Sequence, residues 1–110
     1  LKTVMKDVVS DFLFYAEASH RDRIIDTVVK QINAEHSEFV KRTKPEFHGN
    51  LHILAHSLGS VIAYDILSIH YDLPSAVPRA AGSEPAARLN VDPKNLFICG
   101  SPLGLILSIR

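Results

Sequence analysis

The chain has 110 residues, of which 46% are hydrophobic, and its 12 basic side chains are balanced by 12 acidic ones. This length fits one small domain or part of a larger one, and the hydrophobic content excludes disorder throughout. A neutral chain without a basic cluster argues against nucleic acid as the main partner. The first residues lack the apolar core of a signal peptide, and no apolar run is long enough to span a membrane. We therefore expect a cytoplasmic protein that is soluble or peripheral to membranes.

Two helices are predicted before the first strand. Apolar residues recur at helical spacing over residues 2–15. The tetrapeptide Ser19-His20-Arg21-Asp22 matches a capping box and predicts the start of the next helix, which should end near Arg42, before Pro45. An apolar stripe on this helix could contact a membrane, but the opposite face carries charges of mixed sign, so we interpret the stripe as core packing. The stripe consists of Ile25, Val28, Val29, Ile32, Phe39 and Val40.

The second half of the chain predicts two buried strands with a helix and a loop between them. Residues 51–55 and 96–100 are short apolar runs, and the helix that begins at Leu58 is apolar on most of its surface. Residues 71–95 contain four of the six prolines and predict a long variable loop, which could act as a lid. Strands joined in this way pair in parallel through a right-handed crossover. Because two strands cannot form a sheet core alone, we expect further strands outside this chain.

The junction between the first strand and the following helix carries the candidate catalytic motif. It reads Ala55-His56-Ser57-Leu58-Gly59, a nucleophile elbow with Ala in place of the first Gly. In such a turn the serine hydroxyl stands above the sheet, and the small residues Ala55 and Gly59 allow strand and helix to pass closely. Ser57 is the candidate nucleophile, and the backbone N–H of Leu58 is the candidate oxyanion-hole donor. The alternative is a helix N-cap role for Ser57 or Ser60.

The histidines near this motif do not predict a metal site. His52 and His56 are four residues apart, but they lie on a strand and lack both an HExxH pattern and a carboxylate. His56 could line the substrate entrance, although we favour a role in holding the elbow, and His52 is interpreted as a polar residue that needs one partner. No metal and no other cofactor are expected.

Four further positions receive structural interpretations. Asp65 lies two turns along the elbow helix, so it points away from the serine and is expected to make a buried polar contact rather than act as the triad acid. Asp92 is interpreted as a turn residue, and Cys99 as an inert thiol in a buried strand. Ser101-Pro102 could line the site, but a role in the turn is sufficient.

A serine nucleophile requires a histidine base and an acid that orients it, which follow the serine in α/β-hydrolases. His70 is the last histidine, only 13 residues beyond Ser57 and on or near the same helix, so it cannot fold back over its own elbow. We expect both the catalytic Asp and His to lie outside residues 1–110. These residues are then part of a larger hydrolase domain, and we expect the isolated piece to be inactive.

Five segments are arranged as in a known family. They are Asp11-Phe12-Leu13-Phe14-Tyr15, the predicted helix from Ile24 to Val40 with Asn33 near its middle, Phe47-His48-Gly49, His56-Ser57-Leu58-Gly59-Ser60-Val61-Ile62-Ala63-Tyr64-Asp65-Ile66-Leu67 and Leu96-Phe97-Ile98-Cys99-Gly100-Ser101-Pro102-Leu103-Gly104. With these segments, and over nearly the whole chain except residues 71–95, the sequence resembles the DDHD-domain intracellular phospholipases A1. It departs from them at Ala55, where relatives often carry Gly or Ser.

The resemblance implies a partial α/β-hydrolase-like fold with parallel strands, a nucleophile elbow and flanking helices. It also implies a serine hydrolase that releases the sn-1 fatty acid of glycerophospholipids, typically phosphatidic acid or phosphatidylinositol. Such enzymes contact internal membranes peripherally from the cytosolic side, and a homo-oligomer of the full-length protein is left open. The alternatives are another serine lipase, esterase or acyltransferase, and a non-catalytic membrane-traffic scaffold that keeps the fold.

Overall fold

A computed structural model of the chain describes residues 10–43 and 48–110. Residues 2–9 of the first predicted helix, and Pro45, therefore lie outside the described residues. Helices and strands alternate in the order expected for a mixed α/β chain. They are α1 (described over residues 10–16), α2 (Ala18–Arg42), β1 (His52–His56), α3 (Leu58–His70), β2 (Asn95–Cys99) and α4 (Leu103–Ile109).

The two strands form a parallel pair, as their separation by a helix and a loop predicts. The register runs from His52 opposite Asn95 to His56 opposite Cys99. Each strand is displaced by one residue from the predicted bounds. The class is therefore mixed α/β, and the larger α/β-hydrolase-like arrangement stays a prediction.

The core lies where α2 and α3 pack together. Helix α3 is the most buried element, as its nearly all-round apolar surface predicts, and Val61 is completely excluded from solvent. Full burial of a side chain of this size stabilises the fold by about 1.5–3 kcal/mol. The core cluster contains Tyr15, Ile25, Val29, Val61, Ile66, Ile69 and Leu89.

The prediction that both strands are buried is wrong for the described chain. Leu54 is 75% exposed and Phe97, its register partner, is 55% exposed. Cys99 is exposed as well, so it is not a core thiol. The physical reason is that helices pack against the other face of the sheet, where Ala55 is buried, while no described element covers the face of Leu54.

Two predictions about helix α2 need correction, namely the capping box at its start and the burial of its whole apolar stripe. It begins at Ala18 with Glu17 in the N-cap position and no side-chain cap hydrogen bond, so the predicted capping box does not form. Instead, Ser19 Oγ donates to Glu17 Oε1 at 2.9 Å. The helix does end at Arg42, as predicted. Its apolar stripe is core at Ile25 and Val29 and leaves the core further along, where Phe39 is 52% exposed.

The α3–β2 loop (residues 71–94) contains no helix or strand, as predicted, but it is fastened to α2. Arg79 donates two hydrogen bonds to Asp26, with Nη1–Oδ1 at 3.1 Å and Nη2–Oδ2 at 2.7 Å. Asp22 Oδ2 accepts a hydrogen bond from the backbone N–H of Ala80 at 2.8 Å. The capping-box pattern places the carboxylate of Asp22 at the helix start, but in the structure this carboxylate accepts a hydrogen bond from the distant loop.

This attachment changes the protonation equilibrium of Asp26. Partial burial of its carboxyl is the largest effect and raises the pKa. The hydrogen bonds from Arg79 and from the backbone N–H of Ala87, with the positive charges of Arg79 and Lys30, together outweigh it, so the pKa of Asp26 is held below its usual value.

None of the helices within the described residues is long and apolar enough to cross a membrane.

Candidate active site

Ser57 joins β1 to α3 in a backbone conformation that is rare for a residue with a side chain. Its φ is 53° and its ψ is −125°. Such a conformation costs on the order of 1–3 kcal/mol and is found preferentially at functional sites. A helix N-cap residue has extended dihedrals and bonds the helix through its side chain. Ser57 occupies the N-cap position of α3 but has neither feature, so its hydroxyl does not act as an N-cap.

The backbone of Ser57 is held on both sides. Its N–H donates to Cys99 O at 3.0 Å, which extends the ladder between the strands by one residue. Its carbonyl accepts hydrogen bonds from the backbone N–H of Ser60 at 3.0 Å and from Ser60 Oγ at 2.5 Å. Because Ser60 donates to a carbonyl rather than accepting from an amide, it is not an N-cap either. The tertiary structure therefore supports the strained dihedrals, and the hydroxyl of Ser57 is not used to do so.

The backbone N–H of Leu58 directly follows Ser57 at the start of α3. Leu58 is the first residue of α3, and the first N–H groups of a helix have no partner within it. The positive end of the helix dipole adds to the favourable potential for an anion at this end. The geometry can therefore stabilise negative charge that develops next to the hydroxyl of Ser57.

The small residues of the elbow have unequal roles. Ala55 is buried, with 7% of its surface exposed. A Cβ added to Gly59 would meet nothing within 4 Å, so the expected close approach of strand and helix at Gly59 is not found within the described chain. Instead, Ala55, His56 and Gly59 line an apolar cavity of about 270 Å³ between α2, β1 and α3.

His56 contacts the turn that follows β2. Gly100 in this turn has a φ of +55°, and a Cβ at Gly100 would lie 3.4 Å from His56 Nε2. A side chain at position 100 is therefore disfavoured by its backbone dihedrals, whereas the Cβ would make only an ordinary van der Waals contact with the imidazole. His52, further back on β1, is exposed and has its Nδ1 3.2 Å from Asn95 Nδ2, which supplies the one partner that it was expected to need.

The described residues do not supply a base to Ser57. His70 is the last residue of α3, about 20 Å along the helix from the elbow. Its Nε2 lies 2.6 Å from Asp92 Oδ1, so Asp92 does more than form a turn. Over residues 10–43 and 48–110, no hydrogen bond joins Ser57 Oγ to a histidine. The same residues include no group of three or more His, Cys, Asp or Glu that could hold a metal ion.

Asp65 makes the buried polar contact that its position predicts. It is completely buried and accepts a hydrogen bond from Tyr15 Oη at 2.6 Å. Arg110 Nη1 and Nη2 donate to its two carboxylate oxygens at 2.8 Å each. Burial, followed by the charge of Asp65, raises the pKa of the Tyr15 hydroxyl. The carboxylate is therefore committed to three donors and is not available to orient a histidine.

One contact near the elbow was not predicted. Ser101 Oγ lies 2.5 Å from Ser60 Oγ and accepts a hydrogen bond from the backbone N–H of Leu103 at 3.1 Å. The sequence offers one signal, a serine in the first turn of a largely apolar helix. It offers no signal for the partner, which is 41 residues away.

Comparison with known proteins finds similar segments in lipid hydrolases. The chain is 35% identical over 107 residues to a probable mitochondrial phospholipase of Schizosaccharomyces pombe, covering 96% of this chain and 12% of that protein. It is 34% identical over 110 residues to a probable mitochondrial phospholipase of Saccharomyces cerevisiae, covering 100% of this chain and 13% of that protein. It is 36% identical over 72 residues to the human triacylglycerol hydrolase DDHD2, covering 66% of this chain and 10% of that protein.

The chain thus spans about an eighth of the length of the two yeast relatives. No protein-family model and no solved structure matches it. Because the two yeast matches cover nearly the whole chain, they include its elbow and both of its strands. On the strength of these relatives, the chain belongs to the DDHD phospholipase family.

Proposed function

We propose that this chain is the nucleophile-bearing segment of a serine hydrolase with an α/β-hydrolase fold, and that the whole protein is an intracellular phospholipase A1. The observation that carries the proposal is the conformation of Ser57. Ser57 has strained dihedrals at the junction of a parallel strand and a buried helix, and hydrogen bonds hold its backbone. Its hydroxyl makes no hydrogen bond to residues 10–43 or 48–110. This is the arrangement that a nucleophile elbow requires.

In the proposed reaction, Ser57 Oγ attacks the carbonyl carbon of the sn-1 ester while its proton passes to a histidine base outside the described residues. The N–H of Leu58 donates to the resulting oxyanion. Collapse of the intermediate breaks the bond to the glycerol oxygen, which receives the proton from the histidine and leaves as the lysophospholipid. Water then hydrolyses the acyl-serine, which releases the fatty acid and restores the hydroxyl.

The lipid substrate is supported by the names of the relatives. Two are named phospholipases, and the resemblance to the DDHD-domain phospholipases A1 favours phosphatidic acid or phosphatidylinositol in a membrane surface. Peripheral contact with internal membranes from the cytoplasm is part of this proposal, while the names of the yeast relatives place those proteins in mitochondria. The human relative, a triacylglycerol hydrolase, supports a neutral-lipid substrate as the second candidate.

The test uses the native protein that carries this sequence at full length. It is incubated with vesicles of phosphatidic acid or phosphatidylinositol that have different acyl chains at sn-1 and sn-2, and with triacylglycerol emulsions. Mass spectrometry identifies the released acid. We expect release of the sn-1 acid and a loss of at least about a thousand-fold in Ser57→Ala. Ser68→Ala is the matched control, because Ser68 is a buried serine towards the other end of the same helix.

Each other outcome contradicts a specific part of the proposal. Release of the sn-2 acid contradicts the sn-1 specificity. Hydrolysis of triacylglycerol alone supports the neutral-lipid candidate. Vesicle binding without hydrolysis, equal in the parent and in Ser57→Ala, supports a scaffold that keeps the fold.

A further inference from the structure

Two serines outside the elbow motif form a hydrogen-bonded chain that ends on its backbone. Ser60 is completely buried, and its Oγ lies 2.5 Å both from the carbonyl oxygen of Ser57 and from Ser101 Oγ. Ser101 Oγ also accepts a hydrogen bond from the N–H of Leu103. The chain therefore connects the turn after β2 to the carbonyl of the residue that we propose as nucleophile.

The direction of this chain follows from the number of protons. A carbonyl oxygen only accepts, so the single proton of Ser60 Oγ is directed to Ser57 O. Ser60 can then only accept from Ser101, whose own proton is directed to Ser60. The sequence of donors thus runs from Leu103 N–H through Ser101 and Ser60 to Ser57 O. Hydrogen bonds aligned in this way strengthen one another.

The carbonyl that receives this chain belongs to the same peptide group as the N–H of Leu58. A peptide group is planar, with its N–H directed opposite to its C=O. Fixing the carbonyl of Ser57 therefore fixes the direction in which Leu58 donates. Neither serine hydroxyl is needed for helix formation, because the backbone of α3 makes its own hydrogen bonds.

Resting on the proposed function, we propose that Ser60 and Ser101 are positioning residues that aim the oxyanion donor of Leu58. They touch neither the substrate nor the reacting atoms. Their hydroxyls hold the peptide plane between Ser57 and Leu58 against the strain of the elbow. Loss of either hydroxyl removes the chain while the N–H itself remains.

The experiment measures kcat and KM on a soluble p-nitrophenyl butyrate substrate, with the native full-length protein. Removal of one oxyanion donor costs about a hundred- to a thousand-fold in kcat, so misdirection of the donor in Ser60→Ala or Ser101→Ala should cost about ten- to a hundred-fold. We expect KM to change by less than about two-fold, because the donor acts in the transition state. Ser101→Thr, which keeps the hydroxyl, should restore kcat. Ser68→Ala, a buried serine on the same helix with a long 3.4 Å contact to Ser75, should leave kcat unchanged.

A second readout separates positioning from stability. A trifluoromethyl ketone binds serine hydrolases as an oxyanion adduct, so its affinity should fall together with kcat in Ser60→Ala and Ser101→Ala. The melting temperature should fall more in Ser60→Ala than in Ser68→Ala, since Ser60 Oγ makes two hydrogen bonds of 2.5 Å and Ser68 Oγ one contact of 3.4 Å, so kcat is measured well below the melting temperature of every variant. A loss of kcat in Ser68→Ala that matches the loss in Ser60→Ala would overturn the positioning role, as would equal losses in Ser101→Thr and Ser101→Ala.

The outcomes also separate this inference from the proposed function. If the parent protein lacks esterase activity, or Ser57→Ala retains it, the proposed function fails and the inference fails with it. If the parent is active, Ser57→Ala is inactive, and Ser60→Ala and Ser101→Ala both match the parent, only the positioning role is overturned.

Discussion

Replacement of Arg79 by Ala tests whether the α3–β2 loop is a fixed part of the structure or a mobile lid. Besides its two hydrogen bonds to Asp26, Arg79 donates from Nε and Nη2 to Glu84 O at 3.3 and 3.1 Å. Arg79→Ala removes all four. It leaves the carboxylate of Asp26 partly buried beside Asp22 without its cation. We therefore expect the loop to separate from α2 more often.

The size of the effect follows from the exposure of the pair. Breaking a buried ion pair costs about 3–5 kcal/mol, whereas an exposed pair contributes about 0–1 kcal/mol. The side chains of Arg79 and Asp26 are 20% and 24% exposed, which is closer to the buried case. We expect a loss of about 2–3 kcal/mol in the free energy of local opening, and therefore amide exchange that is about 30- to 150-fold faster.

The assay is hydrogen exchange of the native full-length protein, followed by mass spectrometry of peptides that cover residues 76–90. Arg42→Ala is the control, because Arg42 Nε pairs with Glu38 Oε1 at 3.3 Å while the two side chains are 76% and 52% exposed. That pair contributes about 0.3–0.5 kcal/mol, so exchange in residues 76–90 should not change. Unchanged exchange in Arg79→Ala, or already rapid exchange in the parent, would refute the conclusion that Arg79 holds the loop in place.

Three further results are expected. Folding lowers the pKa of Asp26, so its carboxylate protects the loop fully at pH values above the pKa of the unfolded state, and this protection is lost as the pH falls through the pKa of the folded state. Amide exchange corrected for its intrinsic pH dependence measures this loss, and Asp26→Asn should abolish the pH dependence. Gly100→Ala should lower stability in thermal unfolding by about 1–2 kcal/mol because of its positive φ, whereas Gly104→Ala, with open space in α4, should not. Asp65→Asn should destabilise by about 3 kcal/mol in the same measurement because it breaks a buried pair, whereas the exposed Asp72→Asn should have little effect.

The parts of the fold that could be predicted depend on local pattern. The spacing of apolar residues predicts α3 and its burial, and the helix between two strands predicts their parallel pairing. The elbow pattern predicts the position of a strained serine, since it requires a sharp turn between a strand and a helix. Asp65 was predicted as a buried contact because the helical repeat directs it away from Ser57.

The parts that could not be predicted depend on distant residues. The capping box failed because Asp22 accepts a hydrogen bond from Ala80, 58 residues away, instead of serving the start of its own helix. The exposure of Leu54 and Cys99 depends on which layers cover the sheet, and a strand's own composition does not contain that information. The contact of Ser60 with Ser101 depends on the register of the two strands, which places the turn after β2 beside the elbow.

The long separation between the elbow and its supports has a consequence for biosynthesis. The backbone of Ser57 donates a hydrogen bond to Cys99 O and accepts one from Ser60, which in turn is bonded to Ser101. The ribosome adds these residues some 41 positions after Ser60, a delay of about 2–8 s at ordinary translation rates. During that interval β2 and the turn after it are not yet available to bond the backbone of Ser57. The strained conformation of Ser57 therefore gains these hydrogen bonds only after translation has passed Ser101, and a ribosome stalled before that point carries the motif without them.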